Sequence, residues 1–162
     1  MPDYIDIMHQ MLAQRSNDVK LVVAALYKFV SLDDAPQLRE HLQDCCDEAG
    51  VCGTILLADE GINGTIAAHV PAMETVLTWL QKDRRCIGLS LKFSASESQP
   101  FLRMKVRLKR EIVTMGCPNI KPAERTGTYV EPVEWNALIS DPDVLVIDTR
   151  NSYETAIGMF DG

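Results

Sequence analysis

The sequence lacks the patterns that would hold a metal or a disulfide framework. Its five cysteines stand at positions 45, 46, 52, 86 and 117, none in a C-x-x-C pair, and the count is odd. Adjacent Cys45 and Cys46 cannot readily bridge each other, and the three histidines, His9, His41 and His69, are widely separated. No zinc pattern appears, no metal ligand set is assigned, and reduced, mostly buried thiols are expected. Long apolar runs are missing too. Leu21–Val30 is the longest and carries Lys28, far short of the roughly 20 residues of a membrane helix. Met1–Gln14 holds acidic and polar residues where a secretory signal would be apolar, so a soluble cytoplasmic protein without membrane contact is expected. An excess of positive charge is absent: the formal net charge is −7, which argues against a wholesale nucleic-acid binder but not against local patches. Repeats and low-complexity segments are also lacking.

What remains is an ordinary globular composition, 46% apolar and 24% charged over 162 residues, enough for one well-buried core and marginal for two. Residues 1–19 read as an N-terminal helix or arm with a weak stripe of Ile5, Met8, Met11 and Leu12. Lys20–Val30, rich in β-branched and aromatic residues, predicts a first strand. In "SLDDAPQLREHLQDCCDEAG", Asp33 or Asp34 caps a helix and Pro36 suits its first turn. Leu38, Leu42 and Cys45/Cys46 face inward, and Gly50 ends it. "VCGTILLADEGINGTIAAH" reads as strands Val51–Ala58 and Thr65–Ala68 around a turn, Glu60-Gly61-Ile62-Asn63-Gly64, whose glycines and Asn supply positive φ. Pro71 opens a second helix with Met73, Val76, Leu77 and Leu80 on one face, and Leu89–Phe93 predicts a fourth strand. The order β-α-β-β-α-β over residues 20–115 predicts an α+β, ferredoxin-like fold, an antiparallel sheet with both helices on one face. A turn is all that joins the second and third strands, which excludes a parallel crossover there.

"FLRMKVRLKREIVTM" adds a further strand. Leu102, Met104, Val106 and Leu108 alternate with Arg103, Lys105, Arg107 and Lys109, and Arg110 adjoins, predicting one buried face and one cationic face. Residues 116–131 read as a linker by composition. Residues 132–162 then start a second α/β unit: a short helix from Pro132 through Trp135 and Leu138, a turn at Asp141-Pro142, and an apolar strand, Val144–Ile147.

Four features invite chemistry. The cationic strand reads either as a phosphate-binding stripe or as a solvated edge that discourages sheet aggregation. Asp59 and Glu60 read as an acid/base or metal-ligand pair, or as no more than a hairpin connection. Cys117 sits in a loop-like context, but no histidine is near to activate it, so a passive thiol is the better reading. Cys45, Cys46, Cys52 and Cys86 fall in helical or strand patterns as core filler, with His41 and His69 as surface or capping residues. Acylphosphatase chemistry lacks support, since no Gly-rich loop with Arg follows the first strand.

Taken together, "LVVAALYKFVSLDD", "GTILLADEGINGTIA", "FLRMKVRLKREIV" and "VLVIDTRNSYETAIGMFDG" resemble the N-terminal part of the rhodanese-domain tRNA uridine hydroxylases. The resemblance covers the chain from Val19 onward, and the E-G-I-N turn with the R-M-K-V-R strand is its most specific part. It implies a ferredoxin-like domain, then a rhodanese-like domain, in an enzyme that uses molecular oxygen to convert the wobble uridine of certain tRNAs to 5-hydroxyuridine. The family nucleophile lies in a C-x-G-G-[IV]-R-C-type loop that no cysteine here matches. No catalytic residue is carried over, Cys117 included, and the chain alone is expected to be inactive. Asp148 and Arg150 match the rhodanese start, where a buried charge-assisted contact between them is expected to shape the sheet end. Met159 stands where rhodaneses often have His. The resemblance implies tRNA as partner, with Arg103, Lys105, Arg107, Lys109 and Arg110 as the contacting residues, and no DNA. The missing rhodanese domain is expected as a second partner, and Glu60, Gly61, Asn63 and Gly64 are the residues that a docking role would use. A docking module of a rhodanese-type sulfurtransferase is the alternative. Residues after about Gly127 are expected to be mobile, proteolysed or packed on a neighbouring molecule.

Overall fold

The computed structural model describes residues 3–14, 21–114, 116, 122, 124 and 127–159. The chain divides into two compact units, Met1–Thr126 and Gly127–Gly162.

The first unit follows the ferredoxin-like order. Helix α1 (Tyr4–Ala13) precedes β1 (Leu21–Phe29), α2 (Ala35–Ala49), β2 (Cys52–Ala58), β3 (Gly61–Ala68), α3 (Val70–Lys82), β4 (Ser90–Ser96) and β5 (Met104–Leu108). Pro36 lies in the first turn of α2 and Gly50 closes it in the left-handed region at φ 72°, as expected, whereas Asp34 stands at the N-cap position without a side-chain capping bond, its carboxylate paired with Arg85. Leu38, Leu42 and Cys46 of α2 and Met73, Val76, Leu77 and Leu80 of α3 are buried. They meet Val22, Ala24, Leu26, Ile55, Leu57, Ile62 and Ile66 from the sheet.

The strand order is β4-β1-β3-β2-β5. The first four strands pair antiparallel, but β5 pairs parallel with β2, Val106 opposite Ile55. The sheet is therefore mixed, which corrects the wholly antiparallel expectation. Although β5 follows β4 in sequence, it lies at the opposite edge. Four strand spacings of about 4.8 Å make about 19 Å, a span that seven residues, 97–103, can bridge in extended form. On the way Gln99 donates from its side-chain amide to the Ala67 carbonyl, 3.3 Å away.

The turn between β2 and β3 is tighter than the sequence predicts. Ala58 pairs directly with Gly61, leaving only Asp59 and Glu60 between the strands. Gly61, Asn63 and Gly64 belong to β3, and no non-glycine residue described has positive φ. Gly61 has the expected positive φ, 152°, whereas Asn63 and Gly64 do not, and both glycines also permit close backbone approach. A Cβ at Gly61 would stand 2.1 Å from the Lys28 carbonyl oxygen, and one at Gly64 2.6 Å from that of Thr54.

Helix α1 enters the core more deeply than its weak stripe indicates. Tyr4 and Met8 are buried. The Tyr4 hydroxyl donates to the Cys86 carbonyl at 2.8 Å and accepts the Leu89 N–H at 2.6 Å. These two backbone groups lie between α3 and β4, where they also bond each other at 3.3 Å, and the hydroxyl completes the cluster.

In the second unit, α4 spans Pro132–Ile139 and α5 spans Ser152–Thr155, the latter opened by a capping box between Asn151 and Glu154. Val144–Ile147 forms no strand, contrary to expectation, and Leu145 and Ile147 are exposed. A strand exists through its ladder, and no partner segment for this stretch lies among the described residues. Asp148 and Arg150 do form the expected charge-assisted pair, Nη2 to Oδ2 at 2.6 Å, but on the surface rather than buried. Hydrogen bonds from Arg150 hold the Asp148 carboxyl down to about 2.

Two stability predictions follow from this packing. Replacing Tyr4 by Phe should cost about 1–3 kcal/mol in urea unfolding, since two buried hydrogen bonds to the hydroxyl are lost and only the longer bond between Leu89 N–H and the Cys86 carbonyl remains. Gly64→Ala should cost a similar amount, about 1–3 kcal/mol, whereas Gly127→Ala, with no atom near its Cβ position, should leave the transition of the first unit unmoved.

Candidate nucleic-acid interface

Because α2 and α3 cover one face of the sheet, strand parity decides what the other face carries. Met104 and Val106 of β5 are buried beneath α2, so Lys105 and Arg107 project from the helix-free side. Arg103 continues this register as its carbonyl accepts the Gly53 N–H at 3.1 Å, and Lys109 donates its N–H to Leu57 at 2.8 Å. The regular strand is thus five residues with one flanking bond at each end. Leu102 and Leu108, expected on the buried side, are exposed. Leu102 lies in the connection crossing from β4, beyond the stretch that α2 covers. Arg103, Arg107, Lys109 and Arg110 are exposed and Lys105 is half-buried. None of the five has an ion pair or side-chain hydrogen bond among the described residues.

The edge of β5 is protected by other means. The Val106 N–H donates to Gln43 Oε1 at 2.8 Å, and its carbonyl accepts from Arg39 Nε at 3.3 Å, so α2 side chains occupy the outward-facing backbone. That weakens the reading of the cations as edge guards.

The remaining candidates have structural employment. Glu60 Oε1 accepts the Ile112 N–H at 2.6 Å. The carbonyls of Glu60 and Asp59 take the N–H groups of Val30 and Leu32 at 2.9 and 3.0 Å. The turn is a clasp tying β1, β2–β3 and the segment after β5, and no group of His, Cys, Asp and Glu among the described residues could hold a metal ion. Burial pushes the thiols of Cys46 and Cys86 up to about 12 and about 11, and that of Cys45 upward, the reverse of nucleophile activation. Cys117 lies outside the described residues.

A cleft of about 580 Å³ beside the start of α2 is lined by Asp34, His41, Trp79, Lys82, Asp83 and Arg85 among others. The sequence reading did not single it out. Three of its charges pair with one another: Arg85 forks onto Asp83, Nη2 to Oδ2 at 2.7 Å, and pairs with Asp34. Hydrogen bonds from Arg85 lower both carboxyls below their ordinary value of 3.8. The stabilisation from this cluster is therefore complete above that value and is lost as pH falls through the lowered ones. Urea midpoints measured between pH 7 and pH 2 should decline more steeply below about pH 4 in the parent than in Arg85→Met, and equal slopes would show that the cluster contributes nothing.

Comparison with known proteins gives the family. Residues 21–112 match the UPF0176 acylphosphatase like domain. Relatives called tRNA uridine(34) hydroxylase are 58% identical over 143 residues in Sinorhizobium medicae and 56% identical over 143 residues in Albidiferax ferrireducens. Each alignment covers 88% of this chain and 45% of the relative, so the chain spans about half the length of these proteins. The dark-state structure of BlrB, a BLUF protein, is similar in fold, with a TM-score of 0.50 at 17% identity over 57% of this chain and 76% of that one. The match over residues 21–112, more than half of its length, shows that the chain belongs to the family of the UPF0176 acylphosphatase like domain.

Proposed function

We propose that this chain is the N-terminal, tRNA-binding portion of an oxygen-dependent hydroxylase that converts wobble uridine to 5-hydroxyuridine. The observation that carries the reading is the 58% identity over 143 residues to a tRNA uridine(34) hydroxylase. What supports a binding role is the row of cations along β5 and its flanks, Arg103 to Arg110, which have no ion pair or side-chain hydrogen bond among the described residues. Phosphates are the partners such a row suits, and the acidic whole lets the patch act locally without general affinity for polyanions.

The reading assigns the hydroxylation step to residues outside this chain, with molecular oxygen as co-substrate. The cysteines described favour that assignment, because burial raises Cys45, Cys46 and Cys86 instead of activating them.

The test uses the 162-residue chain and tRNA. Arg103→Gln, Lys105→Gln and Arg107→Gln together should weaken binding and lower the log–log salt slope by about 3, one unit for each lost phosphate contact. Unchanged affinity and slope would remove β5 as the binding surface. Incubated alone with tRNA and oxygen, the chain should produce no 5-hydroxyuridine by nucleoside mass spectrometry, and detection of the product would place the chemistry within it.

A further inference from the structure

We propose that the helix-free face of the sheet is a platform for single-stranded RNA, with bases stacked on Tyr27 and Phe29 and phosphates held by cations at both sheet edges. The proposal rests on the RNA-binding reading above and specifies the form of RNA and the residues that read it.

Register places the residues. Val22, Ala24 and Leu26 of β1 lie in the core, so Val23, Ala25, Tyr27 and Phe29 face the other way, and none of these four packs against the core cluster. Across the sheet, Ser90, Tyr27, Asn63, Leu56 and Arg107 form one rung, and Lys92, Ala25, Thr65, Thr54 and Lys105 the next. Lys92 on β4 and the Lys105–Arg107 pair on β5 therefore bound the face at opposite edges. Tyr27 and Phe29 stand on β1 between them, rings 5.4 Å apart and edge to face at 86°. Their partners on β3 are Asn63 and Gly61, the latter with Ile112 Cδ1 3.1 Å from where a Cβ would stand.

Charge distribution points to the same ligand. The chain has 23 Asp and Glu residues against 16 Lys and Arg, yet none of the five strands contains an acid, while they hold Lys28, Lys92, Lys105 and Arg107. Lys28 is spent on the helix side, where it donates to the Arg85 carbonyl at 2.9 Å and to that of Ile87. The other three are on the helix-free face. Between the cations the face carries Ser, Thr and Asn together with Val23, Ala25 and Leu56, and the aromatic pair stands on β1. Half-buried aromatic rings on the open face of a sheet, with flanking cations, suit unstacked bases and their backbone, and duplex RNA cannot offer its base faces to them.

Fluorescence anisotropy of the 162-residue chain with a labelled single-stranded RNA heptamer and with a short RNA duplex tests this at several salt concentrations. Tyr27→Leu and Phe29→Leu should each weaken single-strand binding about 5- to 100-fold, leaving the salt slope unchanged. Tyr27→Phe, which keeps the ring, should retain binding within about twofold. Preference for the single strand over the duplex should disappear in the double leucine variant. Three results would overturn the platform. The leucine variants could bind as the parent does. The duplex could bind the parent as tightly as the single strand. Tyr27→Phe could fail along with Tyr27→Leu while its urea midpoint is unchanged. If the leucine variants bind normally while the Arg103, Lys105 and Arg107 variant is impaired, stacking falls and the RNA-binding reading stands. If the parent binds neither RNA, both fall.

Discussion

One-sided packing is the constraint on which the first unit depends. The two helices that follow β1 and β3 both return over the same face, so every strand is divided by parity into a core half and an outward half. A one-residue slip in any strand would exchange the two. Leu26 and Tyr27, neighbours in sequence, thereby have different fates, one sealed under α2 and α3 and the other left out of the core. The same division puts Val106 in the core and Arg107 outside it.

The close approach of the central strands makes this division possible. β3 runs between β1 and β2, and at Gly61 and Gly64 the neighbouring carbonyls come nearer than any side chain would allow. Tight pairing there draws the Asp59–Glu60 turn against the start of the β1–α2 loop. Glu60 then reaches Ile112 and fixes the segment that leaves β5. A stretch that looks like a catalytic pair in the sequence is a clasp holding three pieces of chain. The same logic applies to the acids beside α2, where Asp34 and Asp83 serve Arg85 and one another's loops.

Adding β5 beside β2 changes the character of the fold. Parallel addition at that edge needs a connection that crosses the whole sheet, and it leaves outward backbone groups that must be satisfied. Arg39 and Gln43 of α2 satisfy them, which releases the cations of β5 from edge protection. The second unit shows the converse. Its helices are capped by local sequence, Pro132 and the Asn151–Glu154 box, while the apolar segment Val144–Ile147, which requires pairing to become a strand, remains unpaired among the described residues.

By itself the sequence determined the local elements and their order. Pro36, Gly50 and Pro71 mark helix ends, the apolar spacing of α2 and α3 marks their inner faces, and the alternation at 103–109 marks a strand, because capping and periodicity are short-range effects. It also carried the family resemblance. Tertiary structure alone decided where β5 pairs and in which direction, that Gly61 and Gly64 permit close backbone approach, that Tyr4 bridges two distant backbone groups, and that Leu102 is exposed. It alone set Tyr27 and Phe29 on the same face as Lys92, Lys105 and Arg107. Those outcomes depend on which strands become neighbours, and neighbours far apart in sequence leave no mark in the local pattern.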